Sequence, residues 1–524
     1  MRTSVKRTCL LTMVLAASGT SLSVSAQGAG QLAVPAEQQQ VRRLTVDDAV
    51  RLAAENNLGV QIARYDPQIE DLNVAQVRAS YVPSFTSTVQ SSSRTQPNAN
   101  FLAGAITAND DTFANSTGLA ASLPWGGTYD IGLDSSRFQS NNFSSTFNPS
   151  LRSSFSVRVT QPLFRNFKID GTRQQLQVSQ KNREIADVQL RESLTALSRN
   201  VRNAYWNLAY QIASLAVARQ SLELAQASLR NTRSRIEIGT TPPIDEIADQ
   251  AEVAQRQEAV IVAEAQIATS EDTLRALIYN PSSPDFWSIR IQPDQLPAFA
   301  PVAVDLDAAL ARALARRSDL EQVRKSLEIS DVNLRYQRNQ TMPDVTAVFD
   351  YGLAGIGGTR IERGVGTLGP GTGEPIGFSE RSFTAVLGDV FKNNFPTWTA
   401  SVNISYPIGR SQQEAALART RLQRTQSQAQ QRNQQLQVET EVRQRARQAQ
   451  TNQQRVDSTR VSRELQERRL EAEQRKFAAG TSTNFFVFQA QRDLAVARNN
   501  ELRAILDYNQ SLVDFETALE VPVR

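Results

Sequence analysis

The 524-residue chain carries 57 basic and 53 acidic residues, one cysteine and no histidine. Arg2, Lys6 and Arg7 precede an apolar run from Cys9 to Ala17, and Val24-Ser25-Ala26 supplies small residues for a signal peptidase, so residues 1–26 read as a secretory signal cleaved after Ala26. What remains has no thiol, which excludes disulfides, thiolate nucleophiles and cysteine-bound metal, and the lack of histidine removes the commonest general base and metal ligand. Losing the signal's three bases lowers the formal charge from +4 to +1, which gives a nucleic-acid partner no footing. No clustered carboxylate motif compensates, and the sequence assigns no catalytic, cofactor-binding or metal residue. Outside the signal no apolar run approaches the roughly 20 residues of a membrane helix, so any membrane crossing is left to strands.

Residues 27–43 read as a flexible mature N-terminus. Beyond them the chain is written twice. "LTVDDAVRLAAENN" (44–57) aligns without gaps on "VDLDAALARALARR" (304–317), 260 positions later, and the match continues through Asp71/Asp331, Asn73/Asn333, Pro83/Pro343 and Thr86/Thr346. "VTQPLF" (159–164) matches "ISYPIG" (404–409). The copies span 44–279 and 304–524, and the Pro-rich segment 280–303 is expected to join them as an ordered strap. Each copy reads helix, strand, polar loop, strand, long helix, turn, long helix.

Thr45 and Asp305 sit at cap positions, with Asp47, Asp48 and Asp307 in the first helical turn, where carboxylates meet the positive end of the helix dipole. Pro83 and Pro343 then hand over to strands. Val345, Ala347, Phe349, Tyr351 and Leu353 alternate with polar residues, as do Phe155, Val157 and Val159, and Trp398, Ala400, Val402, Ile404 and Tyr406. One buried face in a sandwich would explain this. A membrane barrel explains it better, because no other element offers enough apolar surface to cover these strands. Residues 91–111 and the Gly-rich 355–377 read as exposed loops. An additional alternating pair, 119–123 and 129–133 around Gly126-Gly127, reads as an extra hairpin in the first copy.

From about Thr172 to Ile238, Leu190, Leu194, Leu197, Val201, Tyr205, Leu208, Ile212 and Leu215 step by threes and fours, a coiled-coil seam. Between Ser411 and Ala479 a Gln- and Arg-rich helix carries a thin seam, Leu422, Ala429 and Leu436, then Val442, Ala449 and Val456. Each long helix stops at Gly-Thr, 239–240 and 480–481, and restarts at once. The expected tips of two antiparallel helical hairpins are therefore 239–243 and 480–484.

The repeat, the Pro-flanked strands and the two Gly-Thr hairpins together resemble the TolC family of outer-membrane efflux proteins (the outer-membrane factors) across essentially the whole mature chain. "VTQPLFR" and "LPWGG" (123–127) are also similar to segments of its members. The resemblance implies an α+β membrane protein, a homotrimer in which each subunit gives four strands to one shared transmembrane β-barrel. Long antiparallel α-helical coiled-coil hairpins continue it as a periplasmic tunnel. Its surroundings would be outer-membrane lipid of a Gram-negative-type bacterium. Its partners would be a periplasmic adaptor (membrane fusion) protein and an inner-membrane pump, which it serves as passive exit duct in tripartite efflux or type I secretion. Gly239, Thr240, Gly480 and Thr481 fall at the family's adaptor-contacting tips. Acids that ring the closed aperture in some relatives are replaced here by Phe486 and Gln489. The gate is therefore expected as an apolar plug of Phe485, Phe486 and Phe488, with a first-copy acidic collar of Asp245 and Asp249. Helix-start charge for the acids and hairpin packing for the aromatics are the competing roles. At the level of the whole protein, the alternatives are a periplasmic adaptor and a structural coiled-coil envelope protein without a pore.

Overall fold

The computed structural model describes residues 41–97, 106–294, 299–366, 369–409 and 411–520. The expected signal peptide lies outside the described residues. The chain opens with β1 (Val41–Leu44), so Val41 to Arg43 are not loose as expected: β1 pairs in parallel with β6 (Arg290–Pro293) of the inter-copy strap. Helices α1 (Val46–Asn56), α2 (Leu58–Ala63) and α3 (Tyr65–Ala79) follow, and the second copy answers with α6 (Leu306–Arg316) and α7 (Ser318–Gln340). Thr45 caps α1 by accepting the Asp48 N–H, and Asp305 caps α6 through the amides of Asp307 and Ala308.

The two long helices are α4 (Gly171–Glu237) and α9 (Gln412–Ala478), each 67 residues and about 100 Å long at 1.5 Å per residue. Asp170 and Ser411 cap them, accepting the Arg173 and Glu414 amides. Each folds back on a 35-residue partner, α5 (Ile244–Ile278) or α10 (Asn484–Ala518), and α4 also packs against α10. Leu197, Val201, Tyr205 and Leu208 of the first seam are buried against Ala49 and Ala53 of α1 and Leu274 and Ile278 of α5. The buried Tyr205 hydroxyl donates to the Leu44 carbonyl at 2.9 Å, tying β1 to this core.

The second seam divides. Val442, Ala449 and Val456 are buried with Val438, but Leu422 and Leu436 are 73% and 61% exposed. The division falls where α10 ends, level with the Val438 region, where Ala518 and Leu519 join α6 and α9. Among the described residues nothing covers Leu422 and Leu436 on that face.

Between the helices lies a sheet. Strands β2 (Ser84–Pro97), β3 (Thr107–Ser122), β4 (Thr128–Ser140), β5 (Phe147–Pro162) and β7 (Asp344–Gly366) are neighbours in that order. Beyond β7 stand β9 (Pro396–Ser405) at its base and β8 (Gly369–Arg381) at its far end. The sheet is thus six strands wide at its base, not the four that the resemblance implies. The difference is β3 and β4: the hairpin expected at 119–133 is the root of two full strands paired from Ser122↔Thr128 to Asp110↔Ser140. Segments 91–111 and the Gly-rich 355–377 are expected as loops, but their described residues 91–97, 107–111, 355–366 and 369–377 are strand. Their Ser, Thr and Gly content hides the pattern, yet the backbone of these strands pairs across the sheet with β3 and β7.

Register fixes the faces. One row across the sheet reads Phe85, Leu119, Ile131, Val157, Tyr351, Trp398, and the adjacent row reads Ser84, Ala120, Asp130, Arg158, Asp350, Thr399. One face is therefore hydrocarbon and the other carries ion pairs such as Arg158 with Asp350. Toward the far end, α8 (Phe383–Phe391) lies on the apolar side, where Val386 covers Gly355 and Gly357. A Cβ on Gly355 would stand 2.4 Å from the Val386 carbonyl oxygen, so only glycine admits the helix.

This assignment predicts a fluorescence result. With Trp125, Trp206 and Trp287 replaced by Phe, Trp398 should be strongly quenched by lipids brominated on their acyl chains. Moving the tryptophan one residue (Trp398→Phe with Thr399→Trp) should restore emission. Equal quenching at both positions would mean that the faces are not lipid and water.

Candidate functional site

Far from the sheet, the two hairpin turns have one geometry. Gly239 has φ +76° and Gly480 φ +74°. The Gly239 amide donates to the Ile236 carbonyl and the Thr240 amide to that of Arg235. The Gly480 and Thr481 amides likewise donate to Phe477 and Lys476. Both are Schellman closures, in which a left-handed residue lets two amides reach back to the last carbonyls. The threonine adds a third bond: Thr240 Oγ1 donates to the Arg235 carbonyl at 3.0 Å and Thr481 Oγ1 to that of Lys476 at 3.1 Å. Gly-Thr thus carries its own turn instruction, backbone freedom first and a hydroxyl second. The four tip residues are exposed, and Arg235 reaches over the Phe477 ring at 4.3 Å, joining the two tips.

One turn above, α5 and α10 meet through buried polar groups. Asp249 is fully buried and accepts from Asn484 Nδ2 at 2.7 Å. Glu252, also buried, takes Arg492 of α10 and Arg256 of its own helix, each at 2.7 Å. Positions 249, 252 and 256 share one helix face, and that spacing is the signal by which the pair could have been found in the sequence. Asn484, Glu252 and Arg492 were missed because each alone looks like a solvated polar residue on a helix surface.

The expected gate residues separate. Asp249 is buried against α10, where its carboxyl accepts from Asn484 and closes the inter-hairpin contact; of the expected collar only Asp245 keeps partial exposure. Phe485 and Phe486 are exposed and stack edge to face at 5.6 Å, whereas Phe488 is buried in the hairpin. Gln489 bonds Asp493, one turn along α10. Among the described residues there is no cluster able to hold a metal ion, and no helix is long and apolar enough to cross a membrane.

A sheet with one apolar and one polar face, joined to helices about 100 Å long, is the architecture of an outer-membrane channel protein with a periplasmic helical extension. The sequence matches the family described as outer membrane efflux protein over residues 49–278 and 309–519, and the chain belongs to that family. No curated protein matches it. Among solved structures it is similar to CusC, described in terms of folding and transmembrane channel formation (14% identity, 94% of this chain and 95% of that one, TM-score 0.63). It is also similar to the CmeC outer membrane channel of Campylobacter jejuni (13% identity, 95% and 94%, TM-score 0.62) and to VceC of Vibrio cholerae (13% identity, 91% and 97%, TM-score 0.62). At these identities the structures speak to fold.

Two predictions follow from the tip geometry. Nothing lies within 4 Å of a Cβ built on Gly480 or Gly239, so Gly480→Ala costs only backbone strain, about 1 kcal/mol. Amide exchange at residues 476–484 should quicken about fivefold with the melting temperature of the whole protein unchanged, and Gly239→Ala should do the same at the first tip. Unchanged exchange would show that the left-handed closure does not hold the turn.

The second concerns pH. Burial raises the Asp249 carboxyl above its usual 3.8, against the hydrogen bonds from Thr232 and Asn484 that favour the anion. A raised acid stabilises the closed contact below the ordinary carboxylate range and loses that contribution as pH rises through the raised value. Spin labels on α5 and α10 should therefore report a contact that loosens from pH 4 upward. Asp249→Asn, which keeps an acceptor for Asn484, should remove the dependence; a pH response that persists in that variant would assign it elsewhere.

Proposed function

We infer that this outer-membrane efflux protein is the exit duct of a tripartite efflux or type I secretion system. Three copies conduct substrates passively from an inner-membrane pump and a periplasmic adaptor to the exterior. The observation that supports it most is the sheet: a lipid face and a water face with both edge strands unpaired. An open edge cannot lie in hydrocarbon, because its backbone groups find no water there, so the sheet has to be completed by other copies into a closed wall. A periplasmic adaptor or a poreless coiled-coil protein has no use for such a wall.

In this reading the four exposed tip residues are where an adaptor grips. The Asp249–Asn484 and Glu252–Arg492 contacts form a clasp that holds the α5 end of one hairpin against α10 of the other. Opening breaks that clasp, and the cost is moderate because each broken group is near water at the tip. Phe485 and Phe486, exposed on α10, form the apolar part of the closed end, with Asp245 as its remaining acid.

Purified protein in mild detergent should have the mass of three chains and conduct poorly in planar bilayers. Arg492→Ala, which releases α10 from α5 while leaving Glu252 its Arg256 partner, should raise conductance severalfold, and Phe486→Ser should raise it by wetting the constriction. A detergent-free soluble monomer, or bilayers that stay silent with all three proteins, would overturn the duct.

A further inference from the structure

The two copies in one chain meet at a junction that the chain also leaves half-made at its outer edges. Within the chain, the last strand of the first copy, β5, pairs with the first strand of the second, β7: Val159 lies opposite Phe349 and Pro162 opposite Thr346. Just below, the Leu163 amide donates to the Val345 carbonyl at 2.8 Å. The equivalent elements at the edges are β9, last of the second copy, and β2, first of the first. We propose that three copies close an eighteen-stranded wall in which β9 of each pairs antiparallel with β2 of the next, in the register that β5 and β7 already show. The proposal rests on the exit-duct reading for its number of copies.

The repeat converts one junction into the other. Val159 corresponds to Ile404, and Phe349 to Val89, so Ile404 faces Val89, Pro407 faces Thr86 and Ile408 sits level with Phe85. Three independent features fit this register. It keeps the lipid face continuous, since Ile404 and Val89 both stand on it. It gives the whole of β2, Ser84–Pro97, a partner of matching length from Gly409 back to Pro396. It also explains why residues 406–409 run on past the last β7 pair with no partner in the chain, Ile408 fully exposed among them.

The helices repeat the message. α7 lies between α4 and α9, bonded to α4 through Lys181–Glu328 and Lys325–Glu184 and to α9 through Arg424–Asp331. Its counterpart α3 touches α4, through Arg183–Asp71, and among the described residues packs on no second long helix. Because α4 and α9 start and end 241 positions apart, Leu422 takes the place of Lys181 and Ala429 that of Val188. On α3, Tyr65 and Leu72 take the places of Lys325 and Val332. The charged contact inside the chain thus becomes an apolar one between copies, and the exposed Leu422 meets the exposed Tyr65 and Ile69, while Leu436, in the place of Thr195, comes level with the exposed Leu58.

The strand number follows from β3 and β4. Ser84 is level with Thr399 across one sheet, and Thr399 would stand opposite Arg94 of the next copy, so each copy advances the register by ten residues. Thirty residues of stagger over eighteen strands, at about 3.3 Å per residue and 4.8 Å between strands, tilts the strands by about 50° and sets a backbone radius of about 21 Å. Four strands per chain at the same tilt would give about 14 Å. The added hairpin therefore widens the exit by about half, which suits a cargo bulkier than a small solute.

Disulfide trapping tests the register. Val159/Phe349 is on the hydrogen-bonded row that includes Leu163/Val345, so Thr160/Val348 is a non-hydrogen-bonded pair with close side chains, and its counterpart is Ser405/Thr88. In a Cys9→Ser background, Ser405→Cys with Thr88→Cys should oxidise to a covalent trimer, with roughly tenfold the yield of Ser405→Cys with Ser84→Cys. The strand number has its own readout: Ile131→Trp, as sole tryptophan, should be quenched by brominated acyl chains. A trimer that crosslinks at 84 rather than 88 overturns the register. A trimer that crosslinks at 88 with Ile131→Trp unquenched puts β3–β4 outside the wall and overturns the count. A protein that never trimerises overturns instead the duct reading on which both rest.

Discussion

Hydrocarbon cannot hydrogen-bond. A strand that crosses it must have every amide and carbonyl paired, and a sheet that crosses it may have no edge. Much of this chain's architecture answers that demand. The sheet alternates hydrocarbon and polar rows, so it is built to separate lipid from water, yet β2 and β9 end it with unpaired backbone. A single copy is therefore an unfinished object in the membrane, whatever its stability in the helices. Duplication offers a route to completion, because a contact that already works between the halves of one chain can be reused between chains.

Reuse is not identity, and the differences have physical sense. The α4–α7 junction forms once per chain and cannot find a wrong partner, so it can be built from ion pairs such as Lys181–Glu328, which hold geometry without strong net attraction. A contact between copies has to offset the lost freedom of separate molecules. Apolar residues at the corresponding places, Leu422 and Leu436 on α9 and Tyr65 and Leu72 on α3, supply the non-directional burial that can do so.

What could be read from the sequence sorts by the range of the interaction that decides it. The long helices and their stops were legible to within a residue or two, since caps, periodicity and the Gly-Thr closure are local. The alternating strands β5, β7 and β9 were legible wherever lipid demands apolar side chains at every second position. Beyond the lipid the demand lapses, and Ser, Thr and Gly strands such as the outer half of β2 looked like loops. The width of the sheet was illegible for a related reason: β3 and β4 show clean alternation only near Leu119 and Ile131, so two strands looked like a short hairpin. At the tips, Gly239 and Gly480 were evident, whereas the role of Asp249 depended on Asn484, 235 positions away. The fate of Leu422 could not be read from one copy of the chain, because it stays exposed there and the partner proposed for it is another molecule.

The same separation of ranges governs how such an object could be both permanent and gated. At the tips each turn is closed by backbone bonds within a few residues, and parting the hairpins does not touch them. What joins the hairpins is a pair of side-chain contacts, Asp249–Asn484 and Glu252–Arg492, placed where α5 and α10 begin and where water is one helical turn away. Buried acids make poor permanent glue, since their desolvation works against their own partners. For the proposed duct that weakness would be an advantage, since the contact would open while the sheet and the helical core, held by strand pairing and by residues such as Tyr205 and Val442, stay as they are. On that reading rigidity is placed where the duct must never leak, and marginal stability where it must let something through.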